Sequence, residues 1–285
     1  MRACVRARRA APLRAGNMRE KITACQSQRS RNDMNSSSPI RAIVTGHTRG
    51  LGAALAEQLL ARNIAVLGLS RSRHASLKQR FPALLEEIEL ELADTARVAQ
   101  WLATDALRAF VGGASTVLLI NNAGMVQPIG PIEGQDAAAI AIAVSLNVAA
   151  PLMLASALAA ASPDASDRRI MHISSGAARN AYAGWSIYCA TKAALDHHAR
   201  AVALDTNRAL RICSLAPGVI DTNMQAEIRG TGAEQFPMRE KFEDLKRNGQ
   251  LSTPDQSAAH LLDYALSDAF GETPVADIRE IAKPA

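Results

Sequence analysis

The chain has 285 residues, of which 48% are hydrophobic, 21% are charged and 4% are aromatic, and its net charge is +5. These proportions are typical of a globular protein and exclude fibrous, collagen-like and wholly disordered chains. Nine arginine and lysine residues in the segment 1–33 account for the positive charge, so the remainder is mildly acidic and is not predicted to bind nucleic acid.

Apolar runs alternate with helical patterns along the body of the chain. The apolar runs predict β-strands at Ile40–Val44, Ile64–Leu69, Ile88–Leu92, Thr116–Ile120, Arg169–Ser174, Leu210–Leu215 and Val275–Ile281. The intervening patterns predict helices at Leu51–Arg62, Ala96–Phe110, Asp136–Ala161, Trp185–Asn207 and Pro254–Leu266. Short apolar strands that alternate with helices indicate an α/β fold with a doubly wound parallel sheet of Rossmann type.

No stretch rich in proline, glycine and serine interrupts residues 39–281, so we predict a single domain over residues 39–285. The polar segment at about residues 222–251 follows the end of a predicted strand, which is typical of a lid. Residues 137–163 carry no charge, but they contain Asn147 and Pro151, and we interpret them as buried helices rather than a membrane span.

Residues 1–38 are interpreted as a disordered basic tail, and residues 1–33 as upstream codons that are not naturally translated, with Met34 as the start. An organelle-targeting peptide and a nucleic-acid or membrane arm are the alternatives. The four cysteines show no CxxC spacing, which argues against a disulfide framework or a zinc site. This cysteine usage suits a reducing compartment, so we predict a cytoplasmic protein without a metal.

A glycine-rich turn, TGHTRGLG at residues 45–52, follows the first predicted strand and opens the first predicted helix. Such glycines allow a sharp turn and a close approach of the backbone to a pyrophosphate, and the helix N-terminus supplies N–H donors and a partial positive charge. Because a strand precedes the turn and a helix follows it, the motif predicts a dinucleotide site.

The second predicted strand ends without an acidic residue. A carboxylate at that place binds the ribose 2′-hydroxyl of NAD and repels a phosphate, whereas this chain has Arg71 there. A guanidinium pairs with phosphate in a bidentate geometry, and Arg49 of the glycine turn is able to reach the same place. We therefore predict NADPH/NADP as the cofactor; the alternative is that both arginines are solvated surface charges.

Asn147, Ser175, Tyr188 and Lys192 form the candidate reacting centre. Tyr188 and Lys192 are four residues apart in a predicted helix and share one face. The pKa of an unperturbed tyrosine is about 10, and a neighbouring ammonium, together with the positive nicotinamide ring of an oxidised cofactor, lowers it by favouring the phenolate. Such a tyrosine is able to protonate a carbonyl oxygen as hydride arrives, with Ser175 as a second hydrogen-bond partner of that oxygen.

These residues together resemble the short-chain dehydrogenase/reductase family. The matching segments are Thr45–Gly52 (TGxxxGxG), Asn121–Gly124 (NNAG), Asn147, Ser175, Tyr188–Lys192 (YxxxK) and Pro217–Thr222, and twelve residues separate Ser175 from Tyr188. Gly184, Trp185 and the run Asp221–Gln225 are similar to the branch that contains sepiapterin reductase and benzil reductase. The resemblance implies reduction of carbonyls, often vicinal dicarbonyls, with NADPH.

The resemblance also implies a role for each matching residue. Tyr188 would be the acid/base and Ser175 the partner of the substrate oxygen. Lys192 would hold the nicotinamide ribose and tune Tyr188, while Asn147 would kink its helix and hold a water of the proton relay. Many relatives have an aspartate that contacts the adenine after the third strand; Glu91 stands at that position here and Asp94 resembles the N-cap of the next helix, so which of the two contacts the adenine, if either, stays open. The residues expected to bind the cofactor are Thr45, Gly46, Thr48, Arg49, Gly50, Leu51, Gly52, Arg71, Asn121, Ala123, Gly124, Tyr188, Lys192, Pro217, Gly218, Ile220 and Thr222.

We therefore predict an NADPH-dependent carbonyl reductase that transfers hydride to a ketone, with Tyr188 as general acid. The alternatives are an NADP-dependent secondary-alcohol dehydrogenase and a non-catalytic NADP(H)-binding sensor. The partners implied by the resemblance are a small-molecule carbonyl substrate and a second copy of the chain, in a homodimer or homotetramer formed through the helix that carries Tyr188 and Lys192.

Overall fold

The computed structural model describes residues 39–207 and 209–281. The tail predicted at residues 1–38 lies outside the described residues. Seven strands form one parallel sheet in the order β3-β2-β1-β4-β5-β6-β7. The strands are β1 (Ile40–Thr45), β2 (Ala65–Ser70), β3 (Leu85–Glu89), β4 (Thr116–Asn121), β5 (Asp167–Ile173), β6 (Leu210–Ala216) and β7 (Val275–Asp277). The predicted doubly wound sheet and single domain are thus confirmed.

Helices cover both faces of this sheet. They are α1 (Gly50–Ala61), α2 (Leu77–Arg80), α3 (Thr95–Leu102), α4 (Ala106–Val111), α5 (Ala137–Val144), α6 (Ala150–Ala161), α7 (Ser186–Val202), α8 (Asn223–Gly230), α9 (Arg239–Arg247), α10 (Pro254–Leu266) and α11 (Ile278–Ile281). A π-helical turn, Ser145–Ala149, joins α5 to α6. Short 3-10 turns occupy Ile132–Gly134 and Gly176–Ala178.

Alternation of side chains along the central strand explains the two layers of helices. In β1, Ala42 and Val44 face the apolar cluster that α1 and α10 complete. Ile43 faces the opposite cluster, which α3, α4, α6 and α7 complete. Full burial of one such aliphatic side chain contributes about 1.5–3 kcal/mol, so both faces must be covered. The arrangement brings the carboxyl ends of all seven strands to one edge, where the glycine turn lies.

The third strand begins earlier than predicted, at Leu85 rather than Ile88. The reason is that β3 lies at the edge of the sheet and pairs only with β2. An edge strand is partly exposed to water, so it tolerates the glutamates that hide its apolar pattern in the sequence. Leu90 and Leu92, which suggested a strand, follow it and pack in the cluster beneath α3.

Other boundaries differ from the prediction as well. The helix predicted over Ala96–Phe110 is two helices, α3 and α4, and the Thr104 hydroxyl between them donates to the Trp101 carbonyl at 2.7 Å. The helix predicted to reach Asn207 ends at Val202. The last strand ends at Asp277, because its carboxylate accepts the Arg279 N–H at 3.0 Å and starts α11.

The segment predicted as a lid contains the two helices α8 and α9. They do not join either cluster that flanks the sheet. Ile228 of α8 and Phe242 of α9 instead form a third apolar cluster with Trp185 and Phe236, which lies beside the strand ends. The polar sequence of the segment concealed these few anchoring residues.

Among the residues that the structure describes, the helical run Ala137–Ala161 is long and apolar enough to cross a membrane by length and composition. Our prediction that this stretch forms buried helices is correct only in part. Leu154 and Leu158 of α6 are buried, whereas Ile142 and Val144 of α5 are 48% and 42% exposed. The exposed side chains form an apolar face that the described part of the chain leaves uncovered.

Candidate active site

The glycine turn between β1 and α1 has the backbone shape that its sequence predicts. Gly46 has a φ of +68°, which favours glycine over any other residue. A Cβ atom on Gly52 would overlap the carbonyl oxygen of Gly46, so α1 starts in direct contact with the turn. The side chain of Arg49, the N-cap residue, makes no capping hydrogen bond, and no acidic residue lies in the first turn of α1. The helix N-terminus therefore suits an anion.

A cleft with a volume of about 1280 Å³ runs along the carboxyl ends of the strands. It is large enough for a dinucleotide and a small substrate, since typical ligand sites measure about 300–1,000 Å³. All residues predicted to bind the cofactor border this cleft, with two exceptions, Thr45 and Asn121.

Thr45 and Asn121 are buried structural residues rather than lining residues. The Thr45 hydroxyl accepts hydrogen bonds of 2.9 Å from the backbone N–H groups of Asn122 and Ala123, and so ties the glycine turn to the end of β4. The Asn121 amide donates to the Pro151 carbonyl at 3.3 Å and lies 3.1 Å from His172 Nδ1. Both are the last residues of their strands and turn inward, so the motif includes residues that hold the site together without bordering it.

One end of the cleft carries arginines. Arg71 follows β2 and its side chain is 70% exposed, and Arg49 is exposed in the glycine turn. Glu91 also borders this end, where its Oε2 lies 3.9 Å from Arg71 Nε. Asp94 does not border the cleft; its carboxylate caps α3 by accepting the Arg97 N–H at 3.0 Å. Of the two carboxylates considered for the adenine, only Glu91 is placed to meet a ligand.

The structure brings Tyr188 and Lys192 together on α7 at the middle of the cleft. Lys192 Nζ lies 5.7 Å from the centre of the Tyr188 ring and donates to the Ile173 carbonyl at 2.8 Å. Burial raises the pKa of Tyr188 to about 12, although its hydrogen bond with the Ser175 hydroxyl acts to lower this pKa. Burial lowers the pKa of Lys192 to about 8, although the Asp196 carboxylate acts to raise it.

These values differ from the expectation that Lys192 lowers the pKa of Tyr188. The physical reason is that both groups are buried, which disfavours the charged form of each. The ammonium is also hydrogen-bonded to the Ile173 carbonyl rather than to the phenol oxygen. At neutral pH the tyrosine is therefore protonated and the lysine is charged.

Ser175 and Asn147 flank this pair in different ways. Ser175 follows β5, borders the cleft, and accepts the Ala177 N–H at 3.1 Å through its hydroxyl oxygen. Asn147 lies behind the cleft in the π-helical turn, so the predicted irregularity of its helix is present. Its amide accepts the Met125 N–H at 2.9 Å and donates to the Met125 carbonyl at 2.8 Å and to the Thr191 hydroxyl of α7 at 3.2 Å, which ties the segment after β4 to α7.

Sequence reasoning missed Asp196, which anchors α7 below the reacting centre. Its Oδ1 accepts hydrogen bonds from the hydroxyls of Ser174 at 2.6 Å and Ser214 at 2.7 Å, at the ends of β5 and β6. Asp196 is 1% exposed and one turn from Lys192 on the same helix face. The spacing of four residues was the available signal, since Tyr188, Lys192 and Asp196 follow one another at that interval.

The far end of the cleft is aromatic. Trp185 lies edge-on to Tyr188 with ring centres 5.3 Å apart, and it stacks on Phe236 at 4.5 Å. Trp185 and Met224 border the cleft, whereas Phe236 is fully buried behind them. Trp185 and Met224 therefore line the pocket, whereas Phe236 packs the lid.

The segment after β6 connects the cleft to the lid. Asp221 donates its backbone N–H to the Ser252 carbonyl at 2.9 Å, and its carboxylate pairs with Lys246 of α9 and with Arg229 of α8. Thr222 lies beside the glycine turn, because a Cβ atom on Gly50 would be 3.5 Å from its methyl group. The segment Pro217–Thr222 therefore faces the glycine turn across the cleft.

Known proteins are similar to this chain in sequence and fold. The sequence model described as short chain dehydrogenase matches residues 41–232. A benzil reductase ((S)-benzoin forming) of Bacillus cereus is 33% identical over 245 residues, covering 84% of this chain and 98% of that protein. A sepiapterin reductase of Meriones unguiculatus is 33% identical over 251 residues, covering 80% of this chain and 92% of that protein.

Solved structures agree with these sequence relatives. A short-chain dehydrogenase/reductase from Burkholderia vietnamiensis is 60% identical, with a TM-score of 0.63, and the match covers 86% of this chain and 99% of that one. The family consists of oxidoreductases that use a nicotinamide dinucleotide, which fits the cleft, the glycine turn and the placement of Tyr188 and Lys192. The chain therefore belongs to the short-chain dehydrogenase/reductase family.

Proposed function

We propose that this protein is an NADPH-dependent carbonyl reductase in which Tyr188 is the general acid. The observation that carries the proposal is the convergence of Tyr188, Ser175 and Lys192 on the middle of one cleft. The end of that cleft beside the glycine turn carries Arg49 and Arg71, and its opposite end is lined by aromatic residues. A cofactor and a carbonyl substrate bound at these two ends meet at Tyr188.

The residues of the cleft fit NADPH. The glycine turn and the N-terminus of α1 would hold the pyrophosphate, because their geometry leaves backbone N–H groups open to an anion. Arg49 and Arg71 would hold the 2′-phosphate, while Lys192 would hold the nicotinamide ribose. When bound, the reduced nicotinamide supplies the hydride.

Tyr188 would supply the proton. Its pKa of about 12 keeps the phenol protonated at neutral pH, which is the state that a proton donor needs. Ser175 would donate a second hydrogen bond to the carbonyl oxygen and so stabilise the charge that develops there. After proton transfer the ammonium of Lys192, 5.7 Å from the ring centre, would stabilise the phenolate.

We further propose that the substrate is an aromatic ketone with a second carbonyl beside the first. The wall formed by Trp185, with Tyr182 at 5.5 Å from it, favours planar apolar groups through edge-to-face packing. Two similar proteins, from Bacillus cereus and Bacillus subtilis, are named benzil reductase ((S)-benzoin forming). Aromatic vicinal diketones are therefore the first substrates to test.

We propose a homodimer or homotetramer for the assembly. Ile142 and Val144 of α5 are large apolar side chains left about half exposed, and α5 packs against α7, the helix predicted to form the interface. A second copy of the chain would cover this face. The cysteines of the described residues, Cys189 and Cys213, are free thiols, which supports a reducing compartment and a cytoplasmic protein.

The experiment that tests the proposal follows the consumption of NADPH and, separately, of NADH by absorbance. The substrates are benzil, other vicinal diketones, simple ketones and aldehydes. We expect turnover of a vicinal diketone with NADPH and slower turnover with NADH. Absence of turnover, with thermal protection by NADPH, overturns the substrate class alone, whereas absence of both overturns the cofactor as well.

A further inference from the structure

The side chain of His47 leaves the glycine turn and enters the protein interior. It is fully buried. Its ring lies against Gly68 of β2, where a Cβ atom would be only 2.5 Å from the imidazole. The absence of a side chain at residue 68 therefore creates the space in which His47 lies between the turn and the sheet.

Glu87 of β3 is the partner of this buried histidine. Its Oε1 lies 2.8 Å from His47 Nε2, and the two side chains are 4% and 0% exposed. Burial lowers the pKa of His47, so the imidazole is neutral at neutral pH and donates through Nε2. Burial acts to raise the pKa of Glu87, but hydrogen bonds from the His74 backbone and from His47 hold it below its ordinary value.

The same carboxylate also holds the loop that follows β2. Glu87 Oε1 accepts the backbone N–H of His74 at 2.7 Å. The ring of His74 in turn accepts the N–H groups of Ser76 and Leu77, each at 3.2 Å, where α2 begins. One buried carboxylate thus connects the glycine turn on one side with the loop on the other.

This loop carries Arg71, which we expect to bind the 2′-phosphate. Its other ion pairs lie at the surface: Arg73 with Glu89, and Arg71 with Glu91. Exposed pairs of this kind contribute only about 0–1 kcal/mol. Among the described residues, Glu87 is therefore the buried anchor of the segment 71–76.

The glycine turn has supports that do not involve Glu87. The Gly46 N–H donates to the Leu69 carbonyl at 2.8 Å. The Asn122 amide donates to the Thr45 carbonyl at 2.9 Å. Removal of Glu87 should therefore affect the loop more than the turn that faces the pyrophosphate.

We propose that Glu87 is a positioning residue for the 2′-phosphate of the cofactor, because it holds the Arg71 loop beside the glycine turn. The inference rests on the NADPH dependence proposed above. It predicts that Glu87 supports the affinity for NADP and contributes less to that for NAD, since the pyrophosphate is common to both and the 2′-phosphate is not.

The test measures the Kd of NADP⁺ and of NAD⁺ by calorimetry for the wild type and for variants at residue 87. Glu87→Ala should weaken NADP⁺ binding about tenfold or more and NAD⁺ binding by less than about threefold, the size expected for losing hydrogen bonds to a charged group. Glu87→Gln should keep both affinities within about threefold, because its amide oxygen is able to accept from both the His74 N–H and His47 Nε2, as Glu87 Oε1 does. Glu86→Gln, an exposed neighbour on β3, is the control.

The outcomes separate this inference from the proposed function. A wild type that binds NADP⁺ no more tightly than NAD⁺ overturns the cofactor preference, and the inference with it. If the wild type prefers NADP⁺ to NAD⁺ and Glu87→Ala retains that preference in full, the inference alone is overturned. An equal loss of affinity for both cofactors in Glu87→Ala overturns it in the same way. If Glu87→Ala does not fold, Glu87→Asp shortens the side chain with its charge kept, and the same selective loss is expected there; its absence overturns the inference.

Discussion

The proposed chemistry depends on the hydroxyl group of Tyr188, which donates the proton. Tyr188→Phe removes it and leaves the ring between Trp185 and Lys192 in place. Because general acid catalysis contributes about 10²–10⁴-fold, we expect kcat for ketone reduction to fall by that factor. Steady-state kinetics measure the loss, and unchanged NADPH affinity is the control. A variant with wild-type kcat would show that another group supplies the proton.

Lys192 gives the reaction a pH dependence with a defined sign. Burial lowers its pKa from the usual 10.5 to about 8, so the ammonium loses its proton as pH rises through 8. The charge that we propose to stabilise the phenolate is then lost, and we expect kcat to fall above this pH.

Asp196→Asn tests the origin of that pH dependence. The carboxylate of Asp196 acts to raise the pKa of Lys192, so its removal should move the fall in kcat to lower pH. The pH profile of kcat is the measurement, and Asp205→Asn, an exposed residue beyond α7, is the control. A profile that does not move in Asp196→Asn would exclude Lys192 as the titrating group.

His172 makes the folded state sensitive to acid. Burial, with smaller contributions from His198 and Lys192, lowers its pKa from 6.5 to about 3. Between these values the unfolded chain binds a proton that the folded protein does not, so the free energy of unfolding falls as pH falls below 6.5. The slope for one such group is about 1.4 kcal/mol per pH unit.

Urea unfolding at several pH values between neutrality and pH 5 measures this slope. His172→Gln should reduce it, whatever the variant does to stability at neutral pH. His197→Gln, an exposed neighbour of His198, should leave the slope unchanged. Equal slopes in the wild type and His172→Gln would mean that other buried groups, such as His47, dominate the acid sensitivity.

At the scale of the elements, the lid is connected to the aromatic wall at Gly184. This residue has a φ of +80°, and a Cβ atom on it would overlap the Gln235 carbonyl. Gly184→Ala should displace the segment that carries Phe236 and loosen its stacking on Trp185. An alanine held in this backbone region costs about 1–3 kcal/mol.

We therefore expect Gly184→Ala to lower Tm and to raise KM for aromatic diketones more than KM for NADPH. Gly134→Ala is the matched control, since nothing lies within 4 Å of a Cβ atom there. An equal rise of both KM values would indicate a general loss of structure rather than an effect on the lid.

At the scale of the whole molecule, the exposed apolar face of α5 is the surface through which we propose that copies of the chain associate. Ile142→Glu places a charge on this face, and burying an unpaired charge costs several kcal/mol. We expect it to convert the oligomer to monomers in analytical ultracentrifugation. Ile281→Glu, at another exposed apolar side chain, is the control. Dissociation by Ile281→Glu alone would place the interface on a different surface.

The dinucleotide site could be predicted from the sequence because its determinants are local. The glycine turn, the strand before it and the helix after it lie within residues 40–61. The spacing of Tyr188 and Lys192 on one helix likewise determines that they share a face. The alternating strands and helices determined the parallel sheet, since apolar strands need cover on both faces.

Other features depend on residues that are distant in the sequence. The early start of β3 reflects its position at the edge of the sheet. Thr45 and Asn121 are buried because their side chains turn inward at the strand ends, away from the cleft. Asp196 and Glu87 receive their roles from hydrogen bonds to other strands and loops. By itself, the sequence determined the fold and the family and identified the candidate reacting residues. Only the tertiary structure decided which polar residues border the cleft and which support it, because burial and hydrogen-bond partners exist only once the strands and helices have packed together.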